Sequence, residues 1–121
     1  MKNMTKVYHL NSDKFFNESK TDYVNDTMMR LFCDITMFAK IEAVAEAVKM
    51  GLYEKVAHVT VPGKDAAFQL TNHIEDSWTN NEGVSVYKEL PRSTSVGDLL
   101  ITDEGNFVVA GCGFKEVDMF I

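Results

Sequence analysis

Between Gly97 and Gly113 the chain is punctuated so often that no ordinary helix fits. Gly97-Asp98 leads into Leu99-Leu100-Ile101. Asp103-Glu104-Gly105-Asn106 interrupts, and Phe107-Val108-Val109 runs up to Gly111-Cys112-Gly113. Short apolar runs bounded by Gly, Asp and Asn read as strands, because those residues supply the backbone angles and local hydrogen bonds of turns. Leu99 and Ile101 address one face and Leu100 the other. Asp103–Asn106 is suited to a hairpin turn, and the two glycines around Cys112 to a bulge or tight bend before a final strand.

The rest of the chain must cover such a sheet. Met37–Met50 carries a helical stripe at Ile41, Val44, Ala45 and Val48, with Glu42, Glu46 and Lys49 toward water and Gly51 placed as a left-handed C-cap. Upstream, Met28, Leu31, Phe32 and Ile35 continue the spacing, so one long helix or two shorter ones begin near Asp26. Met28, Met29, Met37 and Met50 align with aliphatic neighbours and read as core filling rather than as an adaptable partner groove. A second helix is predicted over Asp65–Ile74, capped by Asp65 and presenting Phe68, Thr71 and Ile74, with Trp78 continuing that face.

Strands are expected over residues 5–10, with Val7 and His9 opposite Tyr8 and Leu10, and over 53–61. In the second, Val56, His58 and Thr60 oppose Ala57, Val59 and Val61. A further strand falls over 84–90. The polar stretch 11–26 reads as a long loop pinned by Phe15, Phe16 and Tyr23. The expected fold is a small α+β domain spanning residues 1–121, an antiparallel sheet with two principal helices.

Twelve basic against eighteen acidic residues give a net charge of −6. That balance argues against nonspecific nucleic-acid binding, which relies on cationic side chains neutralising phosphates. No stretch is long and apolar enough for a membrane-spanning helix, and the first residues lack a signal-peptide core. Cys33 and Cys112 have no metal or redox spacing and are expected to be buried thiols in a reducing cytoplasm. The glycines form no Walker or dinucleotide fingerprint, so no cofactor is expected.

Arg92-Ser93-Thr94-Ser95-Val96-Gly97-Asp98, with Leu99-Leu100-Ile101 and Gly113-Phe114, resembles the YodL-like family of small bacterial, phage or mobile-element proteins. The resemblance covers about the last quarter of the chain. It implies a shared fold and an accessory role, with no reaction to carry over. Val96–Val109 is more distantly similar to the Gly-Asp hairpin of PUA-like barrels.

From the residues themselves, Asp98 can accept turn N–H groups, Ser93 or Thr94 can cap locally, and Arg92 can pair with a carboxylate or clamp an anion. Asn72, His73, Asp76 and Trp78 are chemically varied and, with Arg92, form the candidate partner-binding surface if the two segments converge. His73 and Glu75 are two positions apart and do not face one another on a helix. The functional expectation is a noncatalytic accessory or protein-interaction domain acting on a host or mobile-element protein. The alternatives are a small cysteine-dependent hydrolase using Cys112 and His73, and a nucleic-acid-associated domain with a local Arg92 patch.

Overall fold

A computed structural model describes residues 5–11, 22–60, 64, 67–68, 71, 84–86, 92–102 and 105–118, with backbone alone for 22–27 and 86. The punctuated C-terminal stretch forms β4 (Leu99–Thr102), β5 (Gly105–Val109) and β6 (Phe114–Val117). Thr102 pairs with Gly105, and its hydroxyl both donates to the Gly105 carbonyl at 2.7 Å and accepts the Gly105 N–H at 3.1 Å. Asn106 therefore belongs to β5 rather than to the turn. The bend into β6 closes through Ala110 N–H to the Gly113 carbonyl, with Gly113 at φ +89°.

β1 (Thr5–Leu10) is central. It pairs with β4 on one side and β2 (Tyr53–Val59) on the other, while β3 (Val84–Val86) extends β2. The six strands run β3-β2-β1-β4-β5-β6, every pairing antiparallel. The β1–β2 register slips after Val7, leaving Val56 as the extra residue of a bulge. Strict alternation would put Val56 opposite Ala57 and Val59; the bulge instead gathers all three, fully buried, into one cluster. Thr60 lies beyond the strand, exposed, and Val61 lies outside the described residues.

The helical region divides into α1 (Asp22–Phe38) and α2 (Ile41–Lys49). α1 thus begins inside the stretch read as a loop, four residues ahead of Asp26, and the helix expected over Met37–Met50 is broken near its start. Ala39 breaks it with φ +49°, its N–H bonded to the Ile35 carbonyl, and Lys115 of β6 donates to the carbonyls of Phe38 and Ala39. A straight helix over both segments would run about 42 Å. Six strands at the usual spacing span roughly 24 Å from first to last. Bending at Ala39 lets both segments lie on one sheet.

α2 ends as expected: Gly51, at φ +72°, follows Met50, with Gly51 N–H to Val48 O and Leu52 N–H to Ala47 O. Its buried stripe is Ala43, Val44 and Ala47 rather than one through Ile41 and Ala45, and Ile41 is exposed. The alanines allow close approach to the sheet, which turns the larger Ile41 outward. Of the four methionines read as core, only Met28 is buried; Met29, Met37 and Met50 face water. No helix among the described residues is long and apolar enough to cross a membrane.

Both sheet faces are covered. Leu10, Leu99 and Val108 pack with Met28, Ile35, Val44 and Ala47 of the helices. Val7, Val56, Leu100 and Val109 pack on the other face with Ala67 and Phe68. Those two residues have helical backbone within the predicted Asp65–Ile74 helix, whose terminal residues lie outside the described set, and Lys64, one residue ahead of that span, is helical too. Phe68 meets Phe114 edge-to-face at 5.8 Å, and Lys64 Nζ sits 4.7 Å from the Phe107 ring centroid.

Leu99 and Leu100 are consecutive, fully buried and on opposite faces. Truncating either to alanine should cost about 2–5 kcal/mol in urea unfolding. A Leu100→Ala loss below about 1 kcal/mol would contradict a core on the second face.

Candidate functional site

Arg92 to Asp98 forms a loop whose shape is set by one carboxylate. The side chain of Asp98 is 1% exposed, yet every contact it makes suits a charge. Oδ1 accepts the Leu10 N–H at 2.8 Å and Arg92 Nη2 at 2.8 Å; Oδ2 accepts Arg92 Nη1 at 2.6 Å and the Ser95 N–H at 2.8 Å. The Asp98 N–H returns to the Ser95 carbonyl, closing a turn with Gly97 at φ +96°. Only glycine fits readily: a Cβ there would meet Ile35 Cγ2 of α1 at 2.8 Å and its carbonyl oxygen at 3.3 Å. The Gly97 carbonyl accepts the Tyr53 hydroxyl at 2.5 Å, and Gly97 N–H and Asp98 O engage Val109 of β5. The loop is thus anchored to β1, β2, β5 and α1 together.

Arg92 uses its forked edge inside the loop. Besides the bidentate pair, Nη1 donates to the Ser93 carbonyl and Ser95 Oγ, and Nη2 to the Leu10 carbonyl at 2.9 Å. Its side chain remains 46% exposed. Burial works against the guanidinium charge, but hydrogen bonding and charge attraction from Asp98, with smaller help from Glu54 and Tyr53, raise its pKa above the ordinary value. Tyr53 moves the same way: burial first, then the Asp98 charge, raise its hydroxyl pKa far above 10, against a smaller opposing effect from Arg92. It stays a neutral donor.

Behind the pair lies His9, 2% exposed, with Nε2 2.9 Å from Thr94 Oγ1 and 3.9 Å from Asp98 Oδ2. Thr94 N–H donates to the carbonyl of Thr71 at 2.8 Å. The residue immediately before Asn72 is therefore bonded to the loop that carries Arg92. Asn72, His73, Asp76 and Trp78 themselves lie outside the described residues.

The two cysteines differ from the expectation of buried thiols. Cys33 is half-buried on α1 and Cys112 exposed on the Ala110–Gly113 bend, both free. A glycine-flanked bend projects its middle residue outward, so Cys112 does not pack beneath the strands. Among the described residues no three His, Cys, Asp or Glu side chains converge as a metal-ligand set.

Sequence spacing points to Arg92 and Asp98, with Ser93 or Thr94 as a local cap; the contacts of Ser95 with Asp98 and Arg92 were not foreseen. It missed Tyr53, Ile35 and the His9–Thr94 contact, which meet the loop only through the sheet. A histidine placed on the same strand face as Val7 was the available signal.

Two substitutions separate backbone strain from contact. Gly51→Ala meets nothing within 4 Å, so its left-handed backbone alone should cost about 1–2 kcal/mol. Gly97→Ala adds the collision with Ile35 and should cost about 1–3 kcal/mol more in the same unfolding assay. Equal losses would show that α1 does not press on the loop.

Tyr53 gives a signed pH dependence. Its folded pKa lies above 10, where the unfolded hydroxyl ionises, so its stabilisation is complete below pH 10 and is lost as pH rises beyond. The advantage of the parent over Tyr53→Phe, about 1 kcal/mol at pH 8, should shrink between pH 10 and 12. A constant difference across that range would rule out burial of a neutral hydroxyl.

Comparison with family models, curated proteins and solved structures finds no match for this chain.

Proposed function

We propose that this protein is a noncatalytic interaction domain that works by docking against another protein. The observation that carries this reading is the helical layer. Met29, Met37, Phe38, Ile41 and Met50 are 42–64% exposed, although each is large and apolar. Apolar surface in contact with water costs roughly 25 cal/mol per Å², which covering by a partner recovers. Flexible, polarisable methionines adapt to irregular partner surfaces. Met37, Phe38 and Ile41 flank the turn at Ala39, and the two Lys115 contacts steady that turn, which lowers the entropy lost on docking. The C-terminal resemblance adds a setting, a phage or mobile element, in which the partner is a host protein.

The test is affinity capture from the native host with the parent and a Met37→Ser/Phe38→Ser/Ile41→Ser variant, both checked for folding by circular dichroism and urea unfolding. A partner held by the parent should be lost from the folded variant. Equal capture by both would remove this surface from the function.

A further inference from the structure

Among the described residues β6 ends the sheet, with β5 as its one neighbour. In an antiparallel ladder, hydrogen-bonded and non-hydrogen-bonded pairs alternate. Ala110 N–H bonds to the Gly113 carbonyl and Val109 faces Phe114 in the same register, so the bonded pairs are Val108–Lys115 and Asn106–Val117. Lys115 and Val117 therefore turn their backbone groups toward β5. The N–H and C=O of Phe114 and Glu116 point the other way, and among the described residues neither makes a hydrogen bond or ion pair. We propose that this edge takes up an extended segment of the partner protein as a further strand, one whose residues alternate basic and apolar. The proposal says how the partner of the interaction reading is held, and so rests on that reading.

Sheet edges are commonly guarded by a lysine, a proline or a bulge. β6 has no proline and pairs with β5 in unbroken register. Its lysine is engaged: Lys115 Nζ donates to the carbonyls of Phe38 and Ala39, which draws the charge over the helical face and away from a visiting strand. The edge is short, four residues, and Phe114 and Glu116 each offer it one donor and one acceptor. Side chains must therefore supply the selectivity.

Val117 packs into the core on the helical face and Phe114 into the core on the other, so Lys115 goes with the first and Glu116 with the second. Glu116 is exposed, as is Asp118 just beyond the strand. A visiting residue beside Glu116 is favoured as lysine or arginine. Its neighbours on the opposite face meet Val117 and the stem of Lys115, which favours apolar, β-branched side chains. The net charge of −6 draws a basic segment from a distance. A second copy of this chain fits poorly. Antiparallel pairing of two β6 edges must match outward residues, either Phe114 with Glu116 of the other copy or Glu116 with Glu116. The first register sets Lys115 against Lys115 and the second sets two carboxylates together, and like charges directly opposite are unfavourable.

The test is an NMR titration of the full chain with the capped hexapeptide KVKVKV, beside EVEVEV as its acidic counterpart. KVKVKV should give saturable amide shifts at Phe114 and Glu116 and slow hydrogen exchange at both at least tenfold. EVEVEV should bind at least tenfold more weakly. Glu116→Pro removes an outward N–H without breaking the ladder to β5, and in folded protein should weaken KVKVKV at least tenfold. Glu116→Lys leaves the backbone intact and serves if the proline variant does not fold; it should weaken KVKVKV and strengthen EVEVEV. The Met37→Ser/Phe38→Ser/Ile41→Ser variant keeps β6 and should bind KVKVKV like the parent, whatever its effect on partner capture. A parent that captures a host partner yet shows no saturable shifts at Phe114 and Glu116 would overturn the strand addition and leave the interaction reading standing. Equal affinity for the two peptides, unslowed exchange at the two amides, or shifts there that follow protein concentration without peptide would also overturn the proposal, the last by assigning the edge to a second copy.

Discussion

A carboxylate withdrawn from water must be given protein donors, or folding loses several kcal/mol on its account. Asp98 receives them from three stretches of backbone and side chain at once: the end of β1, the Ser95 turn and the fork of Arg92. Hydrogen bonds to a charged group are worth about 1.5–3 kcal/mol each, so four of them can offset the desolvation. They do so only while all donors keep their places. The loop, the strand it abuts and the orientation of Arg92 are consequently one arrangement. Gly97, pressed under Ile35 and bonded to Tyr53, extends that arrangement to α1 and β2.

The second organising constraint is a sheet with two apolar faces. β4 satisfies both by simple alternation, with Leu99 on one side and Leu100 on the other. β2 cannot, because Val56 falls out of phase with Ala57 and Val59. The bulge at Val56 corrects the phase by one residue, and on the helical face the bend at Ala39 returns α2 to the sheet. Both devices deliver more side chains to the cores than regular elements would.

What could be read from the residues was whatever short-range chemistry decides. The α+β class, a hairpin turn (read over Asp103–Asn106, closed by Thr102 and Gly105), the faces of Leu99 and Leu100 and the cap at Gly51 depend on neighbours a few positions away. The break at Ala39 did not show, since alanine is the best helix former and its left-handed backbone is held by Lys115, 76 residues distant. The stripe of α2 was assigned to Ile41 because hydrophobicity outranks size in a periodicity argument, whereas proximity to a sheet favours alanine. At the candidate site Arg92 is legible as a partner for some carboxylate and Asp98 as an acceptor of turn N–H groups, but not as partners of each other. That their purpose is mostly internal followed only from seeing Leu10 and Tyr53 arrive from elsewhere.

The placement of β1 has a consequence for synthesis. This strand leaves the ribosome well before β4, yet its Leu10 N–H bonds to Asp98, 88 residues later, and its edge cannot pair until β4 follows. Meanwhile β2 can form an antiparallel pair with it, closed by α1 and α2, which leaves the opposite edge of β1 open to any extended chain nearby. Pairings so far apart in sequence also slow folding after release. The nascent protein therefore carries an unsatisfied strand edge until β4 emerges, and that interval is when aggregation or a chaperone competes for it.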